Sequence, residues 1–329
     1  MKKSYELDMC NGPILGKILV FAIPLMISGI LQLLFNAADI IVVGRFTGSQ
    51  ALAAVGSTSA LINLIINLFI GVSVGANVVV ARNYGAKDYD GIHGAVHTSV
   101  LTAIWGGIIL IFVGILLARP MLEMMGTPED VINLSVLYMR IYFVGMPAFM
   151  MYNFGAAILR AIGDTKRPLY FLTLSGVVNV VLNLFFVIVF HMGVAGVALA
   201  TIISQAISAF LIILCLMKMD GPCHLDFKHL KFHPEQLKSM LRIGLPAGLQ
   251  GAIFSISNVL IQSSVNSFGS QVMAGNTAAG NIEGFVYNSM NAVYQTSLSF
   301  TSQNMGAKKF DRINKILFQC LLVVTAIGL

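Results

Sequence analysis

Charge is what this chain has least of. Asp, Glu, Lys and Arg make up 10% of its 329 residues, and hydrophobic residues 57%. A soluble domain carries about 25% charge, so the composition excludes a soluble globular enzyme or binding module and places the chain in lipid. The net charge of +6 is then no footprint of nucleic acid and has to be read through topology. Cysteine is sparse too. Cys10, Cys215, Cys223 and Cys320 are scattered and form no Cys-x-x-Cys, which argues against a disulfide framework and for free thiols. Two histidine pairs at helical spacing, His93/His97 and His229/His233, have no further cysteine or carboxylate in a ligand pattern, so no metal site is expected there. No Gly-x-x-x-x-Gly-Lys-Ser/Thr occurs, which excludes that ATP-binding loop and leaves a gradient or a partner as the source of energy. No clustered acid, His or Cys constellation suggests an enzyme, and no cofactor is expected. The first 13 residues are polar and mixed in charge, and the apolar stretch after them is too long for a signal h-region, so no cleavable signal is expected.

What the chain does have is long apolar runs. Stretches able to cross about 30 Å of hydrocarbon fall near 16–43, 52–81, 92–118, 132–158, 168–190, 194–217, 239–266 and 272–304, and a ninth begins near 313. The ninth is still apolar at Leu329, so the chain reads as truncated after about nine helices. The 20 Lys and Arg test this assignment. Seventeen lie with the N-terminus and every second loop, two (Arg45 and Arg119) lie on the other side, and Arg140 falls within a span. Lys and Arg gather on the cytoplasmic side, so the N-terminus is expected inside, with loops 82–91, 159–167, 218–238 and 305–312 cytoplasmic. The expected location is the inner (plasma) membrane.

The chain also repeats itself. Ile23-Pro24 returns 222 residues later as Leu245-Pro246, Gly29 as Gly251 and Asn36 as Asn258. After a one-residue shift, Gln50 matches Gln271, Asn83-x-Gly85-Ala86-Lys87 matches Asn304-x-Gly306-Ala307-Lys308, and Asp90 and Ile92 match Asp311 and Ile313. Six spans, an even number, precede the second copy, so both copies enter from the same side. The expected fold is an all-α polytopic membrane protein with two parallel-repeat six-helix bundles around a central cavity, the second incomplete. Its expected parts are an N-lobe over 1–217, a cytoplasmic linker over 218–238 and a partial C-lobe over 239–329 holding helices seven to nine.

Polar residues inside hydrocarbon must be paired or face water. In the first span Gln32, Asn36 and Asp39 share one helical face above Pro24 and Gly29. Proline removes a backbone bond, so this helix has a place to bend. An ionised Asp at mid-membrane costs roughly 2.5–3.5 kcal/mol, a cost that falls when it takes a proton or a cation. Asp39 is either an ion-coupling carboxylate or an acid near the outer end of its span reaching the interface. Asn179 and Asn183 stand one turn apart in the fifth span, Thr201, Ser204, Gln205 and Ser208 share a face of the sixth, and the second carries Ser59, Asn63 and Asn67. Such oxygens suit Na⁺, a protonated carboxyl, or plain helix–helix hydrogen bonding. The seventh span offers Gln250, Ser255, Asn258 and Gln262. The eighth carries Asn276, Gly280, Glu283, Tyr287, Asn291 and Tyr294 as a helical stripe, with Asn281, Asn288 and Gln295 beside it. Glu283 takes the place of Ile62 in the first copy, and Asp39 that of Ile261 in the second. Glu283 is either a cavity acid or a structural one paired across helices, with Arg140 as a candidate partner. Gln32, Asn36, Asn63, Gln250, Asn258, Gln262, Glu283, Tyr287 and Asn291 are the candidate cavity residues.

Taken together, Ile-Pro-Leu…Ala-Asp-Ile-Ile-Val-Val-Gly-Arg (23–45), Ala-Leu-Ala-Ala-Val-Gly (51–56), Arg-Asn-Tyr-Gly-Ala-Lys (82–87), Ala-Ile-Leu-Arg-Ala-Ile-Gly-Asp-Thr-Lys-Arg-Pro (157–168), Asn-Val-Val-Leu-Asn (179–183) and Gly-Val-Ala-Leu-Ala-Thr (196–201) resemble the multidrug and toxic compound extrusion (MATE) transporters. The resemblance runs over essentially the whole chain. It implies twelve helices in two lobes and export of cationic or amphipathic compounds in exchange for H⁺ or Na⁺. It implies an N-lobe ion site at Asp39, Asn179, Asn183 and Thr201, with Na⁺ at Asp39 the one candidate metal. Asn183 departs from the family pattern, where an Asp is frequent, and this lowers the charge of the site. A second branch of the family has a Glu on the seventh helix, where this chain reads Ala252-Ile253-Phe254-Ser255. Glu283 is not carried over from the family. The expected protein is a monomeric antiporter working by alternating access on small-molecule substrates in the bilayer, without nucleic acid. Asp39 neutralisation would bend the first helix at Pro24 and Gly29. The alternatives are a lipid-linked oligosaccharide flippase of the same superfamily, for which a more cationic cavity is expected, and a membrane-embedded enzyme.

Overall fold

The computed structural model describes residues 5–266 and 270–329. The side chains of Gln262, Gln271 and Asn281 lie outside what is described. Among the described residues every long element is a helix, as lipid demands of a chain that must satisfy its own backbone. The first bundle consists of α1 (Ile14–Phe46), α2 (Ser49–Ala86), α3 (Tyr89–Met124), α4 (Glu129–Val144), α5 (Met146–Ala161), α6 (Lys166–Leu184) and α7 (Gly193–Met217). The second copy follows as α8 (Pro234–Asn266), α9 (Ser270–Gly306) and α10 (Phe310–Gly328). Helices α1, α2 and α3 therefore correspond to α8, α9 and α10.

Some elements differ from the sequence reading. The fourth span is a bent pair, α4 and α5 meeting at 48°. Pro147 at the start of α5 has no N–H to continue the ladder, and the corner is held from two sides. A Cβ on Gly107 of α3 would overlap Pro147, and one on Gly145 would come within 2.7 Å of Ile202 on α7. The fifth span ends in a π-helical turn, Phe185–Val189. The linker is shorter than expected, since α8 starts at Pro234, where proline is welcome in a first helical turn. Nor is the linker loose. Cys223 and Leu225 are buried, the His97 ring lies between the His93 carbonyl (2.8 Å) and the Asp226 backbone (3.2 Å), and the His233 N–H donates to Thr98 Oγ1 at 3.1 Å. One member of each histidine pair, His97 and His233, thus seats the linker on α3. Among the described residues five helices are long and apolar enough to cross a membrane, and the α4–α5 pair makes a sixth. At 33 and 37 residues α8 and α9 also have the length to cross one.

The first six spans share one apolar core, including Ile62, Ile66, Val100, Phe143, Phe154 and Ile212. A second cluster joins the start of α1 to α9 and α10 through Ile18, Phe21, Val293, Phe300 and Ile316, with Phe21 edge-on to Phe300 at 5.6 Å. Lipid offers no hydrophobic drive between helices, so close packing of small residues has to supply it. Between α2 and α8 that packing is glycine on glycine: a Cβ on Gly71, Gly75, Gly244 or Gly248 would run into the backbone of the facing helix. Lys87, Lys308, Lys309 and Arg312 gather at one end of the molecule, its basic end. There Lys87 and Lys308 both adopt a left-handed conformation (φ 58° and 56°), the same helix ending at matching points of the two copies.

Candidate functional site

The site is built on the approach of α1 to α6. Gly176 has no side chain, and the Phe35 ring occupies the space a Cβ would take. One to two turns further along, this brings Asp39 against Asn183, whose Nδ2 donates to Asp39 Oδ1. The same amide lies 3.3 Å from Asn179 Oδ1, and Asn179 Nδ2 is 3.5 Å from Thr201 Oγ1 on α7. Thr201 in turn donates to the Val197 carbonyl at 3.0 Å. Asp39, Asn183, Asn179 and Thr201 form one polar chain across three helices. Asn179 and Asn183 are buried, and Asn183 Oδ1 is a buried oxygen without a hydrogen-bond partner. A carboxylate with orphaned amide oxygen nearby is a donor set for a proton or a small hard cation. The π turn begins two residues beyond Asn183; such turns recur at functional sites, and no pattern in the sequence marks it.

The rest of the polar face of α1 opens to one side. With 3.6 residues per turn, Gln32 and Asn36 lie between the Phe35 contact with α6 and the Gly29 and Leu33 contacts with α9. Both are exposed. Exposed Ile23, Ile27, Leu34 and Ile41 mark the opposite, lipid-directed face. The stripe is therefore exposed between the contacts of α1 with α6 and with α9. Asn63 is exposed on α2 one turn from Asn67, whose amide donates to Ser255 Oγ of α8 at 2.9 Å. Gln250 and Asn258 are exposed on α8, and Gln250 lies on the face opposite the glycine contacts with α2.

Glu283 and Tyr287 are exposed on α9, Asn291 is partly buried, and Tyr287 stacks on Phe254 with centroids 5.8 Å apart. By the repeat, Glu283 and Tyr287 take the places of Ile62 and Ile66, which are buried in the first core. Arg140 is exposed on α4. Pro24 and Pro246 both sit inside helices unbroken at those points. Gly29 has a packing task of its own: a Cβ there would come within 3.2 Å of the Asn288 side chain on α9.

The MatE family model matches residues 24–185 and 246–329. A protein of Bacillus subtilis (strain 168) named probable multidrug resistance protein YoeA is 31% identical over 305 residues, 91% of this chain and 66% of the relative. Probable multidrug resistance protein YpnP of the same strain is 29% identical over 306 residues, 93% of this chain and 68% of the relative. The chain thus spans about two thirds of the length of these curated relatives. A solved structure described as the outward-facing conformation of a multidrug resistance MATE family transporter of the MOP superfamily is 26% identical. It superposes with a TM-score of 0.92 over 99% of this chain and 73% of its own.

Proposed function

The chain belongs to the MatE family, and we propose that it acts in a secondary active antiporter exporting cationic or amphipathic drug-like compounds in exchange for H⁺ or Na⁺. The observation that carries this reading is the chain from Asp39 through Asn183 and Asn179 to Thr201. It sits inside the bundle that also exposes Gln32 and Asn36, which we read as lining a cleft between the two bundles. Each coupling charge supplies about 2.3 kcal/mol per 100 mV of membrane potential, to which a pH or Na⁺ gradient adds, and this is of the same order as the roughly 2.5–3.5 kcal/mol cost of an ionised carboxylate at mid-membrane. In the empty, ionised state Asp39 holds Asn183 by a charge-assisted bond. A proton or Na⁺ on Asp39 removes that charge and loosens α1 from α6, and α1 is free to bend at Pro24. Cargo bound along Gln32, Asn36 and Asn63 is then displaced. The relatives' names carry multidrug resistance, consistent with cargo held by many weak polar and apolar contacts. The protein is read as a monomer in the cell membrane, with its basic end cytoplasmic.

The test is gradient-driven transport of a fluorescent organic cation by the full chain in proteoliposomes, under a Na⁺ or a pH gradient. Asp39→Asn should abolish the gradient-driven part while the protein still inserts and binds the dye. Full transport by Asp39→Asn would overturn the assignment.

A further inference from the structure

The repeated motif Asn-x-Gly-Ala-Lys lies at the basic end, away from Asp39, and does each of its tasks twice across the boundary between the copies. Gly85 of α2 sits on the carbonyl of Gln303, and Gly306 of α9 sits on the carbonyl of Arg82. Positions 82 and 303 correspond in the repeat, so the contact is reciprocal, as at a two-fold interface. A Cβ on either glycine would overlap the opposite carbonyl. Asn83 Nδ2 donates to Gln236 Oε1 (3.3 Å) at the start of α8, and Asn304 Nδ2 donates to the Met9 carbonyl (3.1 Å) just before α1. Each asparagine reaches the leading segment of the other copy. A second layer follows further along the helices. Cβ atoms on Gly29 and Gly251 would stand 3.2 and 3.6 Å from Asn288 and Asn67, themselves a matched pair.

Residues 5–13 then cross this seam. On the first bundle, Glu6 Oε2 accepts from the Tyr84 hydroxyl at 3.1 Å, Leu7 lies on Gly163, and the Arg167 guanidinium stands 5.3 Å from the centre of the Tyr5 ring. On the second copy, Lys309 Nζ donates to the Cys10 carbonyl (3.0 Å) and Arg312 Nη2 to the Gly12 carbonyl (3.1 Å).

We propose that the two copies of Asn-x-Gly-Ala-Lys form the gate that seals the basic end of the cleft, and that residues 5–13 are the strap that bolts it. Backbone-on-glycine contact leaves no passage for cargo, so opening the cleft at this end requires the glycine contacts, the asparagine bonds and the strap to release together. The inference rests on the alternating-access reading above, but its test does not use transport. Cys10, with its Sγ 3.8 Å from Gln303 Oε1, is a reporter in the seam. The full chain, with Cys215, Cys223 and Cys320 replaced by serine, is placed in lipid nanodiscs and the rate of maleimide labelling at Cys10 is measured. Gly85→Ala and Gly306→Ala should each raise that rate about tenfold by shifting the closed population. The Lys309→Ala/Arg312→Ala double variant, which adds nothing to the core, should raise it about threefold. Gly16→Ala, where a Cβ meets nothing within 4 Å, should leave it unchanged. If a glycine variant aggregates, the strap variant decides alone. Wild-type labelling rates in the strap variant and in every monodisperse glycine variant would overturn the gate while leaving the exporter reading intact. Raised rates in a chain that moves no dye would keep the gate and remove the exporter.

Discussion

Gly176→Ala is the smallest change that tests how the site around Asp39 is held. The added methyl falls on the Phe35 ring, and an aromatic ring wedged between two helices has little freedom to swing aside. Overpacking of this kind costs about 1–3 kcal/mol. The strain is relieved if α1 backs away from α6, but that movement stretches the bond from Asn183 to Asp39, and a hydrogen bond to a charged group is worth about 1.5–3 kcal/mol. The two costs are of the same order, so neither route is free and the variant should show both effects. Its thermal midpoint should fall, and its gradient-driven dye transport should weaken more than its dye binding. Phe35→Leu in the same chain makes room for the methyl and should recover most of the coupling, whereas Phe35→Leu alone should be mild. The assays are thermal unfolding of the purified full chain and transport in proteoliposomes. A Gly176→Ala protein with wild-type midpoint and wild-type coupling would show that the approach of α1 to α6 does not control the site.

Asn183→Asp places a second carboxylate against Asp39. Two adjacent carboxylates cannot both ionise cheaply, so the variant should bind Na⁺ more tightly or hold a proton to higher pH; an unchanged ion dependence of transport would count against Asp39 and Asn183 sharing one ion. Asp164 caps α6, accepting from the Lys166 and Arg167 backbone N–H groups at 3.1 Å each while its other oxygen meets the Arg167 side chain. Asp164→Ala should therefore cost about 1–2 kcal/mol, read as a lower thermal midpoint, and an unaltered melt would refute the cap. For orientation, single cysteines at positions 90 and 225 in a cysteine-free background should resist an impermeant thiol reagent added outside intact cells, and labelling at either would reverse the proposed topology.

Membership of the bilayer, the helical class, the place of most spans and the repeat were all legible in the chain itself, because hydropathy and periodicity are local properties written along one helix at a time. The shared face of Gln32, Asn36 and Asp39 belongs to the same kind of knowledge. The four residues proposed for the ion site come from the resemblance to a family, and the structure joins them in one hydrogen-bonded chain. Contacts between distant helices needed the tertiary structure. Asn183 lies 144 positions from Asp39, and nothing in either neighbourhood says that Gly176 admits Phe35 and so sets the distance between them. Glu283 stands in a polar stripe, but a stripe says nothing about which neighbour it faces; its counterpart in the first copy, Ile62, is buried, whereas Glu283 is exposed. The π turn after α6 and the seating of the linker on His97 and Thr98 left no mark in composition or spacing. The repeated Asn-x-Gly-Ala-Lys was visible as a pattern, but its physical cause was not. A glycine retained for the close approach of a carbonyl from the other half of the molecule reveals that only when the two helices are seen in contact.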